Sequence, residues 1–185
     1  FTVSSHWEVF EQGGDMKFEV AVIPGMGLGL RATADIMKGE LVLKERKVCG
    51  RMEEDHHQLV ANLGGQAFTL KSFLKSFVDR EIQDCDKPAV LALNDPDPTG
   101  PKDMKLARCF ENNSFAGGLF LTCARMNHSC LPAVQMSSDD EEETEVRALR
   151  DILAGEEITV SYLRTSALQG RDERVAKLLA GWSFQ

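Results

Sequence analysis

The residues best suited to chemistry lie in one run, Asn127, His128, Ser129 and Cys130, which an apolar stretch precedes. A thiol close to an imidazole could be a nucleophile with its base, but nothing in the sequence supplies the acid that would orient the imidazole. Cys123, His128 and Cys130 could bind zinc, although a Cys-x-x-Cys pair is missing and the usual site takes four ligands. Alternatively, the amide and the imidazole could hydrogen-bond a polar cofactor, or the run could be a buried, hydrogen-bonded turn.

Three glycines, Gly25, Gly27 and Gly29, form a second candidate site after an alternating apolar run. Glycines permit a tight turn and leave backbone N–H and C=O groups open to a ligand that approaches closely. A dinucleotide-binding loop would need a different spacing and a helix directly after it. A structural turn and a ligand-binding loop both fit the local sequence.

Tyr162 is the single tyrosine of the chain and the third candidate. It ends an alternating run that follows the turn residues Gly155 and Glu156. By composition alone, a tyrosine there would be a half-buried strand residue with its hydroxyl at the rim.

In their order along the chain, these segments resemble the SET family of protein lysine methyltransferases. The matching segments are the glycine turn with its Lys38-Gly39-Glu40 continuation, the Asn-His-Ser-Cys-Leu-Pro run at 127–132, and residues 155–162. The resemblance runs from about residue 18 to residue 185. It is closest to the SMYD-like branch, in a form without a MYND finger, and the Asn-Ser-Phe segment at 113–115 also resembles that branch.

The resemblance implies a mainly β SET fold of short sheets, with a helical insertion and a C-terminal strand passed through a loop in a pseudoknot-like way. Residues 1–185 would form a single SET domain, with the helical insertion at 50–112. Residues 163–185 would hold the C-terminal helix and the start of a truncated post-SET segment.

The implied activity is S-adenosylmethionine-dependent methyl transfer to the side-chain amine of lysine in a protein substrate, histone or non-histone. Tyr162 would stand at the transfer point. Because the reference pKa of tyrosine is about 10, it suits a hydrogen-bonding orienter better than a general base. The alternative is a catalytically weak SET module that binds the cofactor or a peptide and serves as an interaction domain.

The resemblance also implies a set of ligand-binding residues. The cofactor would be bound by Gly27, Leu28, Gly29, Asn113, Ala124, Asn127 and His128, with the aromatic pair Trp182 and Phe184 closing over it. Cys130 would be the fourth thiolate of a structural zinc site if cysteines follow residue 185. The chain departs from the branch at Leu28, where a basic residue is frequent, at Ala133, where asparagine is usual, and in lacking a second tyrosine.

The charge of the chain indicates which class of partner it can bind. The net charge of −8 and the pI near 5.0 disfavour direct nucleic-acid binding, which needs clustered Lys and Arg, and favour a basic protein partner. No stretch approaches the about 20 apolar residues of a membrane span, and no signal segment opens the chain. Five scattered cysteines suit a reducing compartment. We therefore expect a monomeric, cytoplasmic or nuclear protein, and the non-Met start indicates a piece of a longer one.

Hydrophobic periodicity predicts the elements that must position these residues. Strands are predicted at residues 18–22, 30–32, 41–43, 118–122, 133–136, 145–149 and 158–162. An amphipathic helix is predicted from about residue 66 to 82, a shorter one at 53–63, a loop at 94–101, and a closing helix at 165–180 stopped by Gly181. The acidic run at 139–143 is predicted to be a solvated hairpin tip, and no internal repeat is predicted.

Overall fold

The computed structural model describes residues 16–50, 70–115, 118–137, 142–163 and 170–182, so the helix predicted at 53–63 lies outside the described residues. The strands are β1 (Phe18–Ile23), β2 (Gly27–Ala32), β3 (Leu41–Arg46), β4 (Val134–Met136), β5 (Glu143–Ala148) and β6 (Glu157–Ile158). The α-helices are α1 (Leu70–Glu81), α2 (Lys87–Leu91), α3 (Lys105–Asn113) and α4 (Arg171–Trp182).

The chain divides into two compact units, one formed by residues 1–46 and 125–166 and the other by residues 47–124 and 167–185. Within the described ranges, the six strands belong to the first unit, where they form two antiparallel sheets of order β1-β2-β6 and β3-β5-β4. The four α-helices that the structure describes all belong to the second unit. The predicted fold of short β-sheets with a helical middle is confirmed.

The β1–β2 hairpin brings the glycine-rich segment to the edge of its sheet. Gly25 and Gly27 have φ angles of 76° and 82°, a left-handed conformation that glycine adopts without steric cost. The partner strand β6 contributes only two residues, which lie opposite Leu30 and Arg31. Residues 27–29 therefore extend past the end of β6.

The absence of an internal repeat was a wrong prediction. The pattern Arg-Ala-x-x-Asp-Ile-x-x-Gly-Glu occurs at residues 31–40 and again at 147–156. The two copies meet directly, because the backbones of Ile36 and Ile152 exchange two hydrogen bonds of 2.9 Å. Both isoleucines are fully buried. The two copies share only six positions and lie far apart in the sequence, so the repeat is recognised from this pairing.

The aspartates of the two copies cross-connect the turns. The Asp151 carboxylate accepts a hydrogen bond from the Lys38 N–H (2.8 Å), and the Asp35 carboxylate accepts one from the Ala154 N–H (2.9 Å). Each turn contains a glycine with positive φ, 84° at Gly39 and 88° at Gly155. The reciprocal bonds lock both turns, and β6 follows directly from the second.

The glutamates that close these turns should make the first unit sensitive to acid. The pKa of Glu40 is lowered by its hydrogen bond with Lys17, and that of Glu156 by its hydrogen bond with Arg150. A carboxyl whose folded-state pKa is depressed stabilises the fold above its unfolded-state pKa. We expect the free energy of unfolding to fall as the pH drops below about 4.5 toward the folded-state values.

Denaturant unfolding followed between pH 7 and pH 3 measures this dependence. Glu156→Gln should show a smaller loss of stability with acid than the wild type, whereas Glu111→Gln, at an exposed site on α3, should follow the wild-type curve. Equal acid losses in Glu156→Gln and the wild type would contradict the assignment to Glu156.

In the second unit, α1, α2 and α3 pack around one apolar core. The amphipathic helix predicted in the middle of the chain is confirmed as α1, although its described residues begin at Leu70. The predicted loop at 94–101 is fixed to α3, since Arg108 donates two hydrogen bonds to the Asp95 carboxylate (2.8 and 2.9 Å) and one to the Pro101 carbonyl (2.8 Å). The core side chains include Phe77, Val78, Ile82, Val90, Leu106, Cys109, Phe110 and Leu119.

Three element predictions need correction. The strand at 118–122 is reduced to single bridges at Gly118 and Leu119, because the chain turns at 121–122 into a 3-10 helix, Cys123–Arg125. The strand at 158–162 stops at Ile158 and continues only as a bridge at Val160. The closing helix starts at Arg171, where two acidic residues in its first turn favour a helix N-terminus, and it runs through Gly181 to Trp182.

All five cysteines are free thiols; Cys49, Cys109 and Cys123 are buried, and Cys85 and Cys130 are exposed. Within the described ranges, no helix combines the length and apolar character that crossing a membrane requires.

Candidate functional site

A parallel bridge aligns the Asn-His-Ser segment with the chain after β6. The Val160 N–H donates to the Asn127 carbonyl (3.0 Å), and the Ser129 N–H donates to the Val160 carbonyl (2.9 Å). His128 is thus bridged to Val160. The pairing brings Tyr162, two residues further on, to the same place.

Tyr162 is held through both its backbone and its side chain. Its hydroxyl donates to the Met126 carbonyl (2.8 Å), and its backbone N–H donates to His128 Nδ1 (3.0 Å). The two rings lie 5.4 Å apart, centroid to centroid, at an angle of 49°. A tyrosine bonded in this way has a defined ring position and a defined hydroxyl direction.

The hydroxyl of Tyr162 is held in its neutral form. Burial is the main cause that raises its pKa to about 12, and the negative charge of Glu157 adds to the shift. A phenol with that pKa stays protonated at neutral pH, so it donates a hydrogen bond and does not act as a base.

The hydrogen bond at Nδ1 also fixes the tautomer of His128. Since Nδ1 accepts from the Tyr162 N–H, the proton of the neutral ring is on Nε2, which lies 3.3 Å from Cys130 Sγ. The structure therefore brings the thiol and the imidazole together. An Nε2 that already carries a proton cannot take the thiol proton, so the nucleophile-and-base interpretation is disfavoured.

The side chain of Asn127 joins the glycine-rich strand to β6. Its Nδ2 donates to Glu157 Oε1 (2.8 Å) and, at a longer 3.5 Å, to the Leu28 carbonyl. A Cβ at Gly29 would lie 2.8 Å from Asn127 Nδ2 and 2.6 Å from Ile23 Cγ1. A side chain at position 29 would therefore force Ile23 or Asn127 to move.

Beyond this contact, the start of β2 is open. A Cβ built on Gly27 would meet no heavy atom within 4 Å, and Leu28 is 50% exposed. Backbone groups next to an oriented amide, at a strand end that β6 does not cover, are suited to binding a polar ligand.

Leu28, Gly29, Asn127, His128 and Tyr162 are thus brought together within one unit, with Gly27 beside them. Asn113 and Ala124 belong to the other unit. The Asn113 amide donates to the Cys109 carbonyl (2.7 Å) and the Asn94 carbonyl (2.8 Å), which ties the end of α3 to the loop after α2. Ala124 lies in the 3-10 helix and packs against the apolar core.

The remaining predicted site residues have little structural context. Trp182 is described only as the last backbone position of α4, and Phe184 lies outside the described residues. Cys130 is exposed beside His128. In the parts of the chain that the structure describes, no three His, Cys, Asp or Glu side chains are grouped so that they could hold a metal ion.

Two contacts within the candidate site were not predicted from the sequence. Met126 takes part through its carbonyl oxygen, and a backbone contact leaves no trace in residue type. The sequence analysis covered Glu157 only as part of the SET-like segment at 155–162. The signal that could have identified Glu157 is its place directly before the apolar Ile158, which is buried. A carboxylate next to a buried position needs a hydrogen-bonding partner.

A family model described as SET domain matches residues 27–163, the stretch that contains Asn127, His128 and Tyr162. The chain belongs to the SET domain family. The SET domain match starts at the glycine-rich strand and ends one residue after Tyr162.

Curated relatives of this SET domain include two yeast proteins. Histone-lysine N-methyltransferase set5 of Schizosaccharomyces pombe is 29% identical over 174 residues, which cover 91% of this chain and 48% of that protein. Histone-lysine N-methyltransferase SET5 of Meyerozyma guilliermondii is 33% identical over 84 residues, 44% of this chain and 17% of that protein. The matches span about half or less of these relatives' length.

Among solved structures, the SET domain of LSMT, crystallised with lysine and AdoHcy, is similar over 82% of this chain and 50% of that one. The TM-score is 0.44 and the sequence identity 15%.

Proposed function

We propose that this SET domain binds S-adenosylmethionine and transfers its methyl group to the side-chain amine of a lysine in a protein substrate. The observation that carries the proposal is the fixed Tyr162, whose hydroxyl is bonded to the Met126 carbonyl and whose backbone is bonded to His128. The names of the yeast relatives, histone-lysine N-methyltransferases, support the same reaction and make a histone one candidate substrate.

The cofactor would be held by Gly27, Leu28 and Gly29 through backbone groups and by Asn127 and His128 through side chains. The open edge of β2 and the oriented Asn127 amide fit such a ligand. When bound, the cofactor supplies an activated methyl group on a sulfonium. Asn113, Ala124, Trp182 and Phe184 stay proposed cofactor contacts on the motif resemblance alone.

The protein then has to align the lysine amine with the methyl group of the cofactor. Tyr162 is neutral at physiological pH and cannot take the amine proton, so it orients the reactants through its hydroxyl. The Met126 carbonyl next to that hydroxyl is a hydrogen-bond acceptor at the same point. An apolar, partly desolvated approach favours the neutral form of the amine, whose reference pKa is about 10.4.

We place the chain in a SMYD-like branch without a MYND finger, as one SET domain with a helical insertion at 50–112 and with a C-terminal helix and post-SET segment at 163–185. Cys130 is an exposed thiol that could serve as one zinc ligand if cysteines follow residue 185. The described residues offer no complete ligand set, and no step of the reaction depends on zinc. The expected setting is a monomer in the cytoplasm or nucleus that acts on a basic protein partner.

Titration calorimetry with S-adenosylmethionine, followed by lysine methylation on a broad peptide array, tests the proposal. We expect saturable cofactor binding and methyl transfer to a subset of lysine peptides. Cofactor binding without transfer, also from a version of the protein extended past residue 185, would favour an interaction module of low catalytic activity. If the protein showed no cofactor binding and no methyl transfer, the proposal would be overturned.

His128→Ala should weaken cofactor binding itself. The substitution removes the proposed imidazole contact and also the acceptor for the Tyr162 N–H, so we expect the Kd for S-adenosylmethionine to rise by about tenfold or more. Calorimetry measures the change. His128→Asn, whose amide oxygen can take the place of Nδ1 as acceptor, should lose less affinity than His128→Ala. An unchanged Kd in the alanine variant would show that His128 is not part of the binding site.

A further inference from the structure

Glu157 is a half-buried carboxylate to which the motif resemblance gives no separate role. It accepts the hydrogen bond from Asn127 Nδ2 at 2.8 Å. Its Oε1 also lies 3.1 Å from where a Cβ on Gly29 would be. The carboxylate therefore packs against both residues that we expect to face the cofactor.

The contact determines which end of the Asn127 amide faces the ligand. An ionised carboxylate only accepts hydrogen bonds, so the NH₂ group of Asn127 must turn toward Glu157. The Leu28 carbonyl lies on the same side and also needs a donor. The amide oxygen is thereby directed away from Glu157 and Leu28. It presents an acceptor that suits an ammonium group or another N–H donor.

The charge of Glu157 also acts at the tyrosine. Its carboxylate lies beside Asn127 and Gly29, the residues that we expect to face the cofactor, and its negative charge also contributes to the raised pKa of Tyr162. The negative charge that disfavours ionisation of the Tyr162 hydroxyl also stabilises a positive charge close to that hydroxyl, because both effects come from the same Coulomb interaction.

We propose that Glu157 is a positioning residue that orients the Asn127 amide and whose charge makes the site prefer a cationic sulfonium ligand over a neutral thioether. S-adenosylmethionine carries that positive charge and S-adenosylhomocysteine, which has lost the methyl group, does not. The site would then bind the methyl donor in preference to the spent product. This inference rests on the proposed function of the same site.

Two substitutions separate the charge of Glu157 from its hydrogen bond. Glu157→Gln removes the charge at nearly constant shape, whereas Glu157→Asp keeps the charge but withdraws it from Asn127 by one methylene. Glu19→Gln is the matched control, since it removes an exposed glutamate from β1 of the same sheet. Calorimetry with each of the two ligands gives the ratio of their Kd values for every variant.

For Glu157→Gln we expect affinity for S-adenosylmethionine to fall about three- to tenfold more than affinity for S-adenosylhomocysteine. Glu157→Asp should lose affinity for both ligands in parallel, and Glu19→Gln should leave both Kd values unchanged. A wild type that binds neither ligand would defeat the proposed function itself. A wild type that binds both, with the same ratio in Glu157→Gln, would overturn only the role of Glu157.

A second measurement needs no cofactor. Because Tyr162 is the only tyrosine, protein labelled with ¹³C at the tyrosine ζ carbon gives a single NMR signal that reports its ionisation. The signal should begin to shift at lower pH in Glu157→Gln than in the wild type or in Glu157→Asp. Identical titrations in all three proteins would overturn the claim that the field of Glu157 reaches the transfer point.

Discussion

Replacing Tyr162 with phenylalanine should abolish methyl transfer or reduce kcat by about 100-fold or more, with little change in affinity for S-adenosylmethionine. The substitution removes one oxygen atom and its 2.8 Å hydrogen bond to the Met126 carbonyl. The backbone N–H at position 162, which is bonded to His128, remains in place. The loss therefore falls on alignment of the reacting groups, with the cofactor site left intact.

Steady-state kinetics on an array-derived peptide, together with calorimetry, would show this separation. Thr33→Val is a suitable control, because it also removes a single hydroxyl, one that makes only a 3.4 Å contact with the Met16 carbonyl. It should keep wild-type kcat. Unchanged turnover in Tyr162→Phe would remove the mechanism proposed for this residue.

Replacing Gly29 with alanine should weaken cofactor binding by about tenfold or more, because overpacking forces neighbouring groups to move. The added Cβ would lie 2.8 Å from Asn127 Nδ2, 2.6 Å from Ile23 Cγ1 and 3.1 Å from Glu157 Oε1. The amide of Asn127 would have to leave its hydrogen bond with Glu157. A rotated amide no longer presents its oxygen to the ligand.

The proper comparison is Gly50→Ala, since a Cβ at Gly50 meets nothing within 4 Å. That variant should match the wild type in stability and in affinity. For Gly29→Ala, calorimetry should be read together with the thermal unfolding midpoint, because overpacking also lowers stability by about 1–3 kcal/mol. A folded Gly29→Ala protein with wild-type affinity would contradict the close contact between Gly29 and Asn127.

Local patterning was sufficient to predict most of the elements. The alternating run at the start gave β1, the glycines gave the hairpin turn, and the helical spacing in the middle gave α1. These features depend on neighbouring residues, which sequence periodicity records directly. The short segment at 118–122 was predicted wrongly because a few apolar residues fit a strand and a buried loop equally well.

The paired turns illustrate what periodicity does not reveal. Asp35 and Asp151 each bond to the turn of the other copy, more than a hundred residues away along the chain. In the sequence they are two ordinary polar residues before apolar ones. Their equivalence depends on the contact between Ile36 and Ile152, which exists only after the chain has folded.

For the candidate site, the sequence by itself determined the residue types and their order: the glycines of β2, the Asn-His-Ser-Cys run and the single tyrosine, which together indicated the SET domain family before any contact was known. The tertiary structure decided how these residues engage one another. It bonded the Tyr162 hydroxyl to a backbone carbonyl, fixed the tautomer of His128 and turned the Asn127 amide toward Glu157. These outcomes depend on distances and bond directions between distant segments, and such geometry arises only when the two sheets and the bridge at Val160 have formed.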